Sequence, residues 1–496
     1  MSPTHDRTSA RAPIGLLLGL LALVLRIPGF AAERHLTFDD GVFGASAMAM
    51  RGGGVPFRQV FSSQGPLFLP LVWLGDLLGF RVLSAPRILA VVCGVVITVV
   101  AHRAATRLAD PIGALVTGVL VATSGCLMWV TGPLAADAPA LAFATIAFAL
   151  SLSQIERPTT SRAAFIGLAV GGAMSTKAIE AHVLVPVALA LLDPVIASIR
   201  RHERPVTGLA RALLAGGVAI GTYLVVSLPF GLGLVWQQSV TYRTAATTGP
   251  TPVANLGKAL STLGDRDLLM VITAIVAILL WGVARSRGKR PVPPGDPITP
   301  MGEIFSGQFL LTAWLVTTCA WLVIVVTPMW RAHVSMLVVP FALFIGRWRP
   351  TRRSALIAVA CAALVAVPLQ LHGLLRPPRY AGDEATIQRV LRGLPKGAWA
   401  LSDDPGLVWR AGRRTTDDLV DTSMVGQQQG RYTERSVALA AADPQVCAVA
   451  VRSHLRFGAF PGLGAALERV GYHTVGPTSR DHALYVREDC RPPRTS

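Results

Sequence analysis

The chain has 496 residues, of which 52% are hydrophobic and only 15% charged, and its mean hydropathy is +0.51. A soluble chain carries about 25% charged residues, so the composition excludes a soluble globular protein and implies an integral membrane protein. The formal charge of +18 does not indicate a nucleic-acid partner, because the basic residues stand in short clusters between apolar runs, as orientation determinants and contacts to anionic membrane lipid do.

Apolar stretches near 14–31, 86–103, 112–131, 134–153, 164–179, 183–199, 209–230, 267–284, 305–327, 331–346 and 354–372 each approach the roughly 20 residues a helix needs to cross a bilayer, which makes about eleven spans. The first is also open to a signal-peptide reading, since Phe30-Ala31-Ala32 follows it. Arg26 and Pro28 make a poor approach to a cleavage site, so a retained anchor is the preferred reading. With the N-terminus in the cytoplasm, the inner loops receive Arg7 and Arg11, Arg103 and Arg107, Arg157 and Arg162, Arg200, Arg201 and Arg204, Arg285 to Arg290, and Arg347 to Arg353, which satisfies the positive-inside rule. An odd number of spans then carries everything after about residue 375 outward. The expected division is a membrane module, 1–374, and an extracytoplasmic domain, 375–496. The apolar run Leu67 to Phe80 is short and edged by Gly and Pro, so it is expected to lie at the outer interface or to re-enter partly.

Three outer segments are long: 32–85, 231–266 and 375–496. The first holds the acidic pair Asp39-Asp40, a Gly52-Gly53-Gly54 turn and Pro56, with Val42–Met50 and Val55–Phe61 as candidate surface helices. The second holds Leu234–Ala246, whose Trp236 and Tyr242 suit an interface, then the loop Thr247 to Pro252. In the tail, short apolar runs at Ala398–Leu401, Val446–Val451 and Ala483–Val486 alternate with helical stretches at Glu384–Leu394 and Leu463–Val470. That alternation predicts a small α/β domain with its own core. Cys93, Cys126, Cys319 and Cys361 fall in spans and read as small apolar filler. Cys447 and Cys490 lie in the tail and are either a disulfide or separate buried thiols. No Cys/His pattern indicates zinc.

The candidate chemistry gathers on the outer rim. Asp39 and Asp40 precede a short helix and are equally suited to capping it. Asp137, just ahead of a proline, reads first as a helix start. Lys177 is followed by Glu180 and His182, so it belongs to an ionisable cluster, although a lone lysine there would simply snorkel. Arg331 and His333 follow Trp330 in what also reads as an interfacial anchor. Acidic groups to deprotonate a hydroxyl, set beside Arg58, Lys177, Arg331 and His333 to hold a lipid phosphate, are what sugar transfer from a polyprenyl phosphate requires.

Four segments carry a family likeness: Asp39-Asp40-Gly41-Val42-Phe43-Gly44 through Gly52-Gly53, Gln64-Gly65-Pro66-Leu67, Gly167 to Lys177, and Arg331 to Pro340. At these residues the chain resembles the C-type superfamily of membrane glycosyltransferases, and within it the protein O-mannosyltransferases and lipid A aminoarabinose transferases. The resemblance implies an inverting transfer in which Asp39 is the base, with Asp40 in place of the usual Glu. It implies that Asp137 is the second outer acidic residue, linked with acceptor or metal contacts. A divalent ion held by Asp40 and Asp137 is therefore the one cofactor it leaves open. Gln64 departs from the pattern, since it stands where relatives have a phosphate-contacting lysine, which shifts that role to Lys177, Arg58 or Arg331. The tail resembles the outer domain of actinobacterial wall glycosyltransferases.

The expected protein is thus a polytopic α-helical enzyme of the plasma membrane with a C-terminal extracytoplasmic α/β domain. It would move a pentose or hexose, of the arabinose or mannose kind, from a polyprenyl-phosphate sugar to a glycan, lipid or protein hydroxyl. Asp39 and Asp40 are its catalytic candidates, and Asp137, Lys177, Arg58, Gln64, Arg331 and His333 its substrate-binding candidates. A transporter or flippase of lipid-linked sugars is the alternative, disfavoured because such proteins place ionisable groups near the bilayer midplane.

Overall fold

A computed structural model describes residues 11–245, 251–286, 302–347, 352–377, 381–475 and 482–490. Arg7, Arg287, Lys289, Arg290 and Arg349 of the predicted inner clusters, and residues 246–250 of the second outer segment, lie outside the described residues. Ten helices build the first half: α1 Arg11–Ala31, α2 Phe38–Arg51, α3 Phe68–Leu78, α4 Ile88–Leu108, α5 Pro111–Thr123, α6 Gly125–Thr131, α7 Asp137–Glu156, α8 Thr160–Thr176, α9 Leu184–Arg200 and α10 Val206–Ser227. Further helices run over Pro252–Arg266, Leu268–Ser286, Gly307–Ala320, Val338–Arg347, Arg352–Cys361 and Val367–Leu375.

Helical segments occupy all the predicted stretches, but the expected count of about eleven spans is not what their lengths support. Among the described residues, six helices are long and apolar enough to cross a membrane, or seven if the pair α5 and α6, bent by 51°, is one span. The bend has a physical cause: Ser124 leaves the helix and caps α6, and the Asp267 carboxylate takes the amides of Gly125 and Cys126 at 2.8 and 3.2 Å. The apolar helix α3 is only 11 residues long, in keeping with an interfacial or re-entrant segment.

Between α1 and α4 the chain folds back on itself, and one ion pair governs how. Thr37 is the N-cap of α2, its hydroxyl accepting from the Asp40 amide at 3.1 Å. The expectation that Asp39 or Asp40 caps this helix is therefore corrected: both lie inside the first turn, where negative charge favours the helix dipole. Asp40 is fully buried and bidentate with Arg87, Oδ1 to Nε at 3.0 Å and Oδ2 to Nη2 at 2.5 Å. It also accepts from the amides of Leu36 at 2.9 Å and Leu134 at 2.8 Å. Arg87 spends its remaining donors on the carbonyls of Gly29, Phe30, Ala32 and Arg34. The end of α1, the start of α2, the start of α4 and the loop before α7 are thereby tied at one point. Farther along, Val55–Phe61 is a tight turn and not the expected surface helix: Phe57 has φ 64° and its amide bonds the Val60 carbonyl at 2.8 Å, a closure that Pro56 and the preceding glycines favour.

The tail residues form a four-stranded mixed sheet in the order β1-β2-β4-β3, with β1 Trp399–Ser402 parallel to β2 Val446–Val451 and β4 Ala483–Arg487 antiparallel to both β2 and β3 Tyr472–Thr474. β2 is buried along its whole length, so it reads as a continuous apolar run. β3 is short and polar enough to escape a pattern reading. Cys447 and Cys490 are disulfide-bonded, which decides the alternative left open above. The helix Pro405–Arg410 lies against α2, where a side chain on Gly44 would overlap the Trp409 ring at 2.1 Å. Arg410 donates to the carbonyls of Glu33 and Ala32, and His35 pairs with Asp404 at 3.1 Å.

Removing the Asp40 charge leaves the Arg87 guanidinium buried without its counter-ion. Asp40→Asn is therefore expected to cost about 3–5 kcal/mol, measured as a fall in thermal stability of the purified protein in detergent. The contact between the tail and the rim has a pH dependence of definite sign. Burial opposes charging of His35, but Asp404 overcomes it and raises the imidazole above its ordinary value. That contribution is present below the ordinary histidine pKa of about 6.5 and is lost as pH rises through the raised value. Hydrogen–deuterium exchange corrected for intrinsic rate is expected to show loss of protection over 404–412 between pH 6 and 9, and less change in His35→Gln.

Candidate active site

Consecutive residues of a helix point about 100° apart, so while Asp40 turns inward to Arg87, Asp39 faces a cavity of about 520 Å³. Among the described residues no hydrogen bond or ion pair holds the Asp39 carboxylate; charge reaches it only from a distance. Burial pushes its pKa above the ordinary carboxylate value, Lys177 pulls it back, and Asp137 adds to the rise. Burial opposes ionisation of Asp40 also, but Arg87 and the two amides hold that carboxyl below its ordinary value. Two neighbours in sequence are thus a structural anion and an available base.

Gln64 and Lys177 reach the cavity wall because the segment around Gly65 docks on the end of α8. The amides of Gly65 and Leu67 donate to the carbonyls of Thr176 and Ser175 at 3.0 and 2.8 Å. A side chain at Gly65 would meet the Ser175 carbonyl oxygen at 2.2 Å, so only glycine permits this approach. Lys177 leaves α8 in extended backbone and its Nζ lies 2.7 Å from Asp137 Oδ2. Asp137 begins α7 without capping it, which corrects that expectation. Its Oδ1 is buried with no hydrogen-bond partner. His333 is buried and accepts the Trp330 amide at Nδ1, 3.2 Å, which puts the proton of the neutral ring on Nε2.

Of the predicted residues, Asp39, Gln64, Lys177, Arg331 and His333 line this one cavity, with Asp137 behind Lys177. Arg58 does not join them: it is exposed and donates to the Pro229 carbonyl at 3.1 Å. Arg331 stands at the edge, paired with Asp265 at 3.0 Å and half exposed. Asp40 as a catalytic or metal-binding group is also corrected, since both its oxygens are spent on Arg87 and on backbone amides. Among the described residues no three His, Cys, Asp or Glu side chains stand together as a metal-binding cluster.

Several lining groups escaped the sequence reading. Arg243 reaches in from the segment after α10 and is steadied by the Ser63 carbonyl and hydroxyl at 3.2 and 3.0 Å. The tail contributes Asp421, Ser423, Ser453 and Arg456. Arg456 lies 4.6 Å from the centre of the ring of Phe38, the residue before Asp39. The loop that carries it is held by Asp403, whose carboxylate accepts from the amides of Arg452, Ser453 and Phe457 at 2.7, 2.9 and 3.2 Å. An arginine beside Tyr242 in an outer segment was the one sequence signal for this set.

A second cavity of about 580 Å³ adjoins the first and shares Ser63, Gln64, Lys177, Arg243 and His333 with it. Its other walls are mostly apolar, including Val170, Met174, Trp236 and Val325, and Ile220, Trp236 and Val325 are exposed at its mouth. A polar chamber with a free carboxylate therefore opens, past two cations and a histidine, into an apolar groove facing outward from the helix bundle.

Residues 63–221 match the sequence model of the family described as dolichyl-phosphate-mannose-protein mannosyltransferase. No curated protein sequence matches the chain. Among solved structures, ArnT from Cupriavidus metallidurans bound to undecaprenyl phosphate is similar over 99% of this chain and 100% of its own, at 12% identity and a TM-score of 0.62. The archaeal oligosaccharyltransferase AglB from Archaeoglobus fulgidus, in complex with an inhibitory peptide and a dolichol-phosphate, is similar over 99% of this chain and 76% of its own, at 11% identity and a TM-score of 0.52. The chain thus shares its fold with these two proteins, and residues 63–221 match the dolichyl-phosphate-mannose-protein mannosyltransferase model.

Proposed function

We propose that the protein is a glycosyltransferase that moves a sugar from a polyprenyl-phosphate donor to a hydroxyl acceptor with inversion, at the outer face of the plasma membrane. The observation that carries this reading is the unengaged Asp39 carboxylate in a chamber whose cationic side opens into an apolar lateral groove. The relatives of like fold bind undecaprenyl phosphate and dolichol-phosphate, and a lipid phosphate matches what this groove and its cations would accept.

In the proposed reaction the isoprenoid tail lies along Val170, Met174 and Val325 and the phosphate meets Lys177 and Arg243. Asp39 takes the proton of the acceptor hydroxyl, the oxygen attacks the anomeric carbon, and the bond from that carbon to the phosphate oxygen breaks. Polyprenyl phosphate leaves with the bonding electrons, its charge met by Lys177 and Arg243. Asp137 holds Lys177 in place, and His333 offers its Nε2 proton to a phosphate or sugar oxygen. In this reading the membrane module is residues 1–374 with about eleven spans, and residues 375–496 lie outside the cytoplasm, covering the chamber with Asp421 and Arg456.

Purified protein supplied with a panel of polyprenyl-phosphate sugars is expected to release polyprenyl phosphate from one of them; release from none contradicts the reading. Asp39→Asn is expected to fold and insert as the wild type does and to lose transfer by about 10²–10⁴-fold, the usual worth of a general base. A variant that keeps more than a few per cent of transfer removes Asp39 from that role. The pH profile follows from the same group. Asp39 acts ionised and its pKa is raised, so the acid limb of kcat/KM is expected above the ordinary carboxylate range of about 4. Burial disfavours the charge, so the variant should be no less stable than wild type at neutral pH.

A further inference from the structure

One wall of the Asp39 chamber comes from the tail, where Asp421, Ser423, Met424 and Val425 line it. Val425 lines the adjoining apolar groove as well, so this segment runs beside the passage from groove to chamber. It is held from both sides. Gln429 donates to the Tyr242 carbonyl at 2.9 Å and the hydroxyls of Tyr242 and Ser423 lie 3.3 Å apart, while the Tyr432 hydroxyl reaches the carbonyls of Thr422 and Ser423 at 2.9 and 3.1 Å. Arg431 donates to the Asp421 carbonyl, with its guanidinium 3.8 Å from the centre of the Phe61 ring. None of these contacts uses the Asp421 side chain.

That side chain is nonetheless buried, only 6% exposed, and among the described residues no ion pair holds it. Its Oδ1 accepts the Ser423 amide at 3.0 Å, a local turn that asparagine or serine would close as well. Its Oδ2 has only the Ser63 hydroxyl, at 3.4 Å, well beyond the usual O–H donor distance of about 2.8 Å. The same Ser63 hydroxyl accepts from Arg243 Nη2 at 3.0 Å, so the Arg243 guanidinium and the Asp421 carboxylate stand one hydroxyl group apart. A buried carboxylate is costly unless its acceptors are filled, and the fold leaves this one short of a donor.

We propose that Asp421 reads the transferred sugar, accepting a hydrogen bond from one ring hydroxyl of a neutral pentose or hexose whose phosphate is held by Lys177 and Arg243, a reading that rests on the function proposed above. A glycosyl phosphate is an anion joined directly to a ring of hydroxyls, so a cation and an acceptor spaced by one hydroxyl group match its two ends. An ammonium on the sugar would meet the guanidiniums of Arg243 and Arg431 beside the carboxylate, which favours a neutral sugar over an amino sugar. A fixed carboxylate rejects an analogue that lacks its hydroxyl, because its own acceptor is then left empty. The tail is in this way a determinant of donor choice as well as a wall of the chamber.

Asp421→Asn keeps an oxygen for the Ser423 amide and turns a nitrogen toward the chamber, and Asp421→Ser keeps the turn and leaves the place of Oδ2 empty, so both are expected to fold with the thermal stability of the wild type. Purified full-length protein is supplied with the polyprenyl-phosphate sugar that it cleaves and with the series of donors that each lack one ring hydroxyl, and release of polyprenyl phosphate gives kcat/KM. In the wild type, loss of one particular hydroxyl should lower kcat/KM by about 10–100-fold, the usual worth of a hydrogen bond to a charged group. Both variants should lose about as much on the intact donor, and removal of that same hydroxyl should cost them less than about threefold more, the non-additivity of two partners in one contact. A merely structural role would lower every donor alike. Losses that add for every donor, the absence of any such hydroxyl, wild-type kcat/KM in both variants, failure of both to fold, or release from an amino-sugar donor alone overturns the proposal while release itself still supports a glycosyltransferase. Absence of release from every donor by the wild type overturns the underlying reading as well.

Discussion

The Arg87–Asp40 pair is the constraint on which the rest of the site depends. It lies fully buried, bidentate, with every further donor of the guanidinium taken by carbonyls between Gly29 and Arg34. Burying two charges is costly unless their geometry and remaining hydrogen bonds are satisfied, and here Leu36 and Leu134 supply the missing donors. The result is a rigid start to α2. Because a helix turns successive residues by about 100°, fixing Asp40 also fixes where Asp39 points, which is into the chamber and away from any partner. The stability of one carboxylate and the availability of the next are two consequences of the same clamp.

Around Asp39 the molecule separates its apolar and charged surfaces. The cations Lys177 and Arg243 stand where the chamber meets the apolar groove. The tail closes the chamber with Asp421 and Arg456, and it is held to the rim by Trp409 against Gly44, by Arg410 on the carbonyls of Ala32 and Glu33, and by His35 on Asp404. Burial in this chamber is what raises the Asp39 pKa above the ordinary carboxylate value.

How much of this was legible in the sequence depended on range. The helical stretches, the strands Val446–Val451 and Ala483–Arg487, and the gathering of Asp39, Gln64, Lys177 and His333 around one cavity follow from local pattern and motif order. The partners of those residues do not. Arg87 reads as a boundary arginine beside Pro86, and nothing local says that its side chain reaches back 47 residues to Asp40. Arg243, Asp421 and Arg456 reach the chamber through tertiary packing of segments whose own sequences describe only a helix or a loop. Arg58 and the Val55–Phe61 run failed for the opposite reason: proximity in sequence to the motif was mistaken for proximity in space, and Pro56 with Phe57 in the left-handed region turns that segment away. The bend within the apolar stretch 112–131 has no local signal either, because it is set at Ser124 by the distant Asp267.

The central claim is that Asp39 acts as a base in a single displacement, with no covalent intermediate on the protein. The anomeric configuration of the transferred sugar tests it most directly: nuclear magnetic resonance of the product made from a polyprenyl-phosphate sugar of known configuration. The account predicts inversion. Retention would require a nucleophile on the enzyme and two successive displacements, and it would contradict the role given to Asp39.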